Sequence, residues 1–123
     1  MNPQIKARWV AALRSGLYKP GRQVLHRDDT FCCWGVLCDL HRLETGGEWV
    51  DAGRIAGGGM LYLGNNGLPP AVVEEWAGTE SRVIVLHKDV AFGFVRVVLS
   101  TVNDRSDSPD IFAVIADLIE EQL

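Results

Sequence analysis

Ile5, Trp9 and Leu13 recur every fourth residue between Asn2-Pro3 and Gly16. That spacing places them on one helical face, with Asn2 as N-cap, proline in the first turn and glycine as the stop. A second helical pattern runs from Phe31 to about Thr45, opened by Asp28, Asp29 and Thr30 and closed by Gly46-Gly47. Its apolar residues occupy two faces, Cys33, Val36, Leu37 and Leu40 on one and Phe31, Trp34 and Cys38 on the other, as suits a helix at the centre of a fold. Leu68-Pro69-Pro70 opens a third helix containing Val72, Val73 and Trp76, closed by Gly78. Ser108-Pro109-Asp110 opens a last one, whose buried stripe is Phe112, Ile115, Ala116 and Ile119.

Other stretches read as extended. Lys19-Pro20-Gly21 is a turn signal between short pieces of the segment Leu17 to Leu25, and between Glu48 and Gly67 frequent glycines separate short apolar runs such as Met60-Leu61-Tyr62-Leu63. Arg82 to Leu86 and Val90 to Leu99 are rich in Val, Ile and Phe, and with Lys88-Asp89 as the turn they predict an antiparallel pair. Val98 to Asp104 reads either as the end of that strand or as a short helix. No repeat or linker interrupts the chain, so residues 1–123 are expected to form a single α+β domain. Three to four helices should pack on a small, mainly antiparallel sheet, with the helix over about 31–45 at the centre.

Size and composition agree with one core. A chain of 123 residues buries more than about 60% of its unfolded surface, and 47% hydrophobic with 23% charged residues is far from the signature of disorder. The net charge of −4 gives no overall positive field to gather phosphates, which disfavours nucleic acid as a partner. Charge is uneven, however: Lys6, Arg8, Arg14, Lys19, Arg22, His26 and Arg27 crowd the N-terminal third, while Asp117, Glu120 and Glu121 lie near the other end. The basic third therefore leaves open a site for an acidic partner or a small anion. The opening MNPQIKARW lacks a cationic leader and apolar run, and no apolar stretch approaches the ~20 residues of a membrane span, so a cytoplasmic protein with no membrane contact is expected. Three cysteines, two of them adjacent, predict free thiols.

Several residues invite chemistry. Cys32 and Cys33 stand at the predicted start of a helix, where the dipole favours a thiolate, and the order Cys33, His87, then Asn103 or Asp104 matches that of a thiol-hydrolase triad. Their apolar neighbours make buried structural cysteine the stronger reading. Cys32, Cys33, Cys38 and His41 lie close together, but one helix turns Cys33 and Cys38 about 140° apart, so no metal is expected there. Asp104, Asp107 and Asp110 are spaced like calcium ligands but lack an EF-hand's glycine and distal glutamate, leaving a solvated loop and a helix start. The runs Gly57-Gly58-Gly59 and Gly64-Asn65-Asn66-Gly67 match no phosphate-binding fingerprint and read as turns. No cofactor is expected. Of the four tryptophans, Trp9 and Trp76 fall on helix stripes and belong in a core, whereas Trp49 beside Gly46-Gly47-Glu48 is the one expected to be partly exposed and open to a partner.

The segments NPQIKARWVAALRSG, FCCWGVLCDL, ETGGEW, YLG, LPPAVVEEWAG and IADLIEEQL together resemble a family of small uncharacterised bacteriophage and prophage proteins, over most of the chain. The resemblance implies a non-enzymatic accessory protein that binds and inhibits a host factor, such as a defence component, in the bacterial cytoplasm. Its binding residues are then expected among Arg8, Arg14, Lys19, Arg22, Arg27, Trp49 and Arg54. Two other readings stay open: a module that sequesters a nucleotide-like anion, for which a homodimer is a natural form, and a cysteine-dependent hydrolase.

Overall fold

The computed structural model describes residues 1–51, 53, 59–89 and 91–123. Helix α1 (Pro3–Arg14) begins where its pattern predicts: the Asn2 side chain accepts hydrogen bonds from the N–H groups of Gln4 (2.9 Å) and Ile5 (3.1 Å). Three two-residue strands follow, β1 (Lys19–Pro20), β2 (His26–Arg27) and β3 (Thr30–Phe31), with β3 parallel to β1 and antiparallel to β2. The central helix α2 covers Cys33–Thr45, two residues later than the Phe31 start that the sequence predicts. Thr30 and Phe31 are claimed by strand pairing. The cap is Cys32, in extended conformation, whose sulfur accepts from Gly35 N–H, while Asp28, Asp29 and Thr30 have no capping role.

Strands β4 (Trp49–Asp51) and β5 (Met60–Tyr62) form an antiparallel pair, and helix α3 (Ala71–Ala77) then runs from Pro70 to the left-handed Gly78. Strands β6 (Ile84–Asp89) and β7 (Gly93–Val98) make the predicted antiparallel hairpin. Its turn lies two residues beyond Lys88-Asp89, because Lys88 and Asp89 still pair with Phe94 and Gly93. The Asp89 carboxylate instead holds the turn from its edge, accepting from Ala91 and Phe92 N–H, and Gly93 takes φ +74°, where a side chain would be strained. The ambiguous segment is helical: α4 (Leu99–Asp104) is a short helix in direct continuation of β7. Helix α5 (Ile111–Gln122) begins after Asp110, with Ser108-Pro109 in the preceding turn.

The fold is thus α+β. The described residues hold five helices, with α4 added to the four that the sequence patterns predict, and the strands divide among three small sheets, not one. Helix α2 is the hub, with every residue from Cys33 to His41 buried, as its two apolar faces require. Helix α1 packs on it and on α5; the Trp9 indole donates to the Cys33 carbonyl (3.0 Å), with its ring 4.9 Å from that of Trp34. On another side the loop bearing Leu25 approaches so closely that a Cβ at Gly35 would lie 1.8 Å from the Leu25 carbonyl oxygen. No helix among the described residues is long and apolar enough to cross a membrane.

Candidate functional site

The reactive-looking residues are used to hold the core together. Cys32, Cys33 and Cys38 are free and buried. Burial pushes the Cys32 thiol up to about 12, and it raises Cys33 and Cys38 as well, so none carries a thiolate near neutral pH. Asn103 does lie against Cys33, as a triad requires, but it works as a second cap: its side-chain oxygen accepts Cys33 N–H (3.0 Å), and its amide donates to the Gly21 carbonyl (2.9 Å) and to Asp104 (3.0 Å). The small cavity beside these residues is lined by Gln23, Cys32, Trp34, Ser100 and their neighbours and by no histidine, whereas His87 lines a separate groove with Val95, Val97, Val102 and Arg105. The buried thiols lack the exposure that a hydrolase nucleophile requires. The Asp104 carboxylate is occupied by Gln23 N–H and Asn103.

A polar cluster occupies the second half of α2. Asp39 accepts from the Tyr18 hydroxyl (2.6 Å), Arg42 Nε (2.6 Å) and Trp49 Nε1 (3.0 Å). Burial alone would raise this carboxyl, but the three donors outweigh it and hold Asp39 below its ordinary value. Next to it His41, held below its ordinary value by burial, meets the Tyr62 hydroxyl at 2.6 Å. These bonds fasten β4, β5 and the segment after α1 to the hub helix. Among the described residues no group of three His, Cys, Asp or Glu side chains converges as metal ligands would.

The basic residues expected to bind a partner are dispersed and largely committed. Arg8 pairs with Glu44 (3.0 Å), Arg14 with Asp117 (2.7 Å) and Glu120 (2.8 Å), and Lys19 with Asp29 (2.8 Å). The sign difference between the two ends of the chain is therefore resolved within the molecule, since α1 and α5 pack together. Arg27 is also engaged. Lys19 and Arg22 line one shallow groove of about 380 Å³ with Thr30, Ser106 and Ser108, but Asp107 shares the wall. Trp49 is half-buried, and its N–H is already donated to Asp39. Trp76, expected in the core, is half-buried as well, because its indole N–H reaches out to Glu44. Arg54 and Gly57-Gly58 lie outside the described residues.

Among the described residues, several exposed apolar side chains gather on the outer face of the β6–β7 hairpin. Register places Ile84, Leu86 and Lys88 opposite Val98, Arg96 and Phe94, so these six side chains share a face. The alternate positions Val85, Val95 and Val97 turn towards α4 and α5. On the outer face Ile84 is 53%, Leu86 50% and Phe94 73% exposed, and Phe92 at the tip reaches 81%. Apolar side chains gathered in this way on one face mark an interaction surface more often than scattered exposed ones do. Lys88 and Arg96 stand among them, and neither takes part in an ion pair.

A family described as a domain of unknown function (DUF8296) matches residues 1–123, the full length of the sequence. The chain belongs to that family. No curated protein and no solved structure matches it. Membership in DUF8296 assigns no residue a role, so the functional reading rests on the geometry above. The hairpin face was within reach of the sequence through one signal: Arg96 stands between Val95 and Val97 in an otherwise apolar strand, a pattern of a side chain that reaches water.

Proposed function

We propose that the chain is a non-enzymatic binding module that engages a partner protein through the outer face of the β6–β7 hairpin. The observation that carries this reading is the cluster of Ile84, Leu86, Phe92 and Phe94 beside two unpaired cations, on a molecule whose Asp39, His41 and Asn103 side chains are taken up by internal hydrogen bonds. Aromatic anchors with an arginine nearby are the composition in which binding energy concentrates. The resemblance to small phage and prophage proteins supplies the context: the partner is a bacterial host protein in the cytoplasm, a defence component for example, and binding disables it. Photo-cross-linkers placed at Leu86 and at Phe94, with one at Ala11 as control, test this in living bacteria. The expected result is a single protein adduct from both hairpin positions and none from the control. Equal labelling from all three positions would overturn the assignment of the face.

A second reading, sequestration of a small anion, is supported only by the groove containing Lys19 and Arg22, where Asp29 and Asp107 oppose it. Native mass spectrometry of protein taken gently from the host should show no retained anionic mass; a stoichiometric one would favour this second reading.

A further inference from the structure

The two long edges of the hairpin differ. On β6, the side-chain amide of Gln122 closes the edge: it accepts from Leu86 N–H (2.8 Å) and donates to the Leu86 carbonyl (2.9 Å). Both backbone groups of Leu86 therefore point away from β7. In an antiparallel ladder directly opposed residues turn their backbone groups the same way relative to the pair, so Arg96, opposite Leu86, turns its N–H and C=O away from β6. Phe94, two residues earlier and opposite Lys88, does likewise. Among the described residues no strand pairs with this outer edge of β7. It presents a row of donors and acceptors, a ready template for an added strand.

The two faces beside that edge define what the strand should carry. On the outer face the cations Lys88 and Arg96 are unneutralised, and the nearby Asp89 carboxylate is turned to its own turn amides. On the inner face a groove of about 290 Å³ is walled by Val95, Val97, Val102 and Ile111, with Arg105 beside them. Resting on the protein-binding reading above, we propose that β7 takes an extended segment of the partner as an additional strand, with acidic side chains towards Arg96 and Lys88 and apolar ones towards the groove. A second copy of this chain fits less well. Pairing β7 with itself adds a second Lys88 and Arg96 to a face that already lacks carboxylates, and the register centred on Arg96 sets two like charges directly opposite.

The test is a titration of the ¹⁵N-labelled full chain with a short capped peptide alternating glutamate and valine, beside its lysine-valine counterpart. The acidic peptide should shift the Phe94 and Arg96 amides and slow their hydrogen exchange, and should bind more than about tenfold tighter than the basic one. The exposed double variant Lys88→Glu with Arg96→Glu, checked for an unchanged circular dichroism spectrum, should reverse the preference. Four results would each overturn the proposal. The peptide shifts only the Ile84 and Leu86 amides; both peptides bind alike or not at all; phosphatidylglycerol vesicles, and not the peptide, perturb the Phe92 and Phe94 amides; or the edge amides become protected on raising protein concentration alone. Specific hairpin adducts in cells together with any of these would leave the protein-binding reading standing and remove only the strand-addition mode.

Discussion

Helix α2 and the β6–β7 hairpin draw on similar apolar residues and end in opposite environments. In α2 nine consecutive residues are buried, and its cysteine, aspartate and histidine side chains are fixed by capping, desolvation and hydrogen bonds. In the hairpin, isoleucine, leucine and phenylalanine face water, and the cations Lys88 and Arg96 have no ion-pair partner. The residues that look reactive are thus the ones this fold uses up, and the apolar surface of the hairpin that stays exposed is made of residues without such chemistry. Interfaces generally derive their energy from such anchors.

Variants that strike the hub should cost most. Gly35→Ala drives a Cβ against the Leu25 carbonyl, and equilibrium denaturation should show a loss of about 3 kcal/mol, the scale of a core that cannot relax around added volume. Asn103→Ala strands the Cys33 amide and the Gly21 carbonyl and should cost about 2 kcal/mol by the same measurement. Asp39 gives a pH signature. Its carboxyl is depressed in the folded state, so the stability it contributes is complete above about pH 4 and is lost as pH falls through the folded value. Asp39→Asn should lower the urea midpoint at pH 7 and flatten its decline in acid; an unchanged acid slope would show that other carboxylates set it. Native alkylation at pH 7.5 should leave all three thiols unmodified by mass, with three adducts after unfolding, because a buried thiol with a raised pKa offers no thiolate. At the other end of the scale, Leu86→Thr with Phe94→Ser should move stability by no more than about 0.5 kcal/mol while eliminating the cellular adduct at a cross-linker placed at Ile84.

The elements themselves were legible, because 3.6-residue stripes such as Ile5, Trp9 and Leu13 and glycine stops such as Gly46 and Gly78 are local signals. Boundaries slipped where tertiary contacts intervened: Phe31 left α2 to pair with His26 and Pro20, and Lys88-Asp89 stayed in β6 because Asp89 could hold the turn from its side chain. The site was much less legible. Arg8, Arg14 and Lys19 look like a basic patch along the chain, but their neutralising partners are 36, 103 and 10 residues away or further, a relation no local pattern contains. The apolar runs around 84 and 94 announce strands without saying whether another layer covers them. Coverage is decided by where α4 and α5 pack, and they pack on one face only.

The Gln122 amide that occupies Leu86 acts as a one-residue strand, and its effect reaches beyond the stability of the hairpin. A two-stranded sheet with both edges open adds material in both directions and grows into filaments. With the β6 edge stopped at Leu86 by a side chain at the far end of another helix, the outer edge of β7 is the hairpin edge left without a partner among the described residues. Gln122→Ala removes that stop, and in the peptide titration the Leu86 amide should then become protected along with those of Phe94 and Arg96.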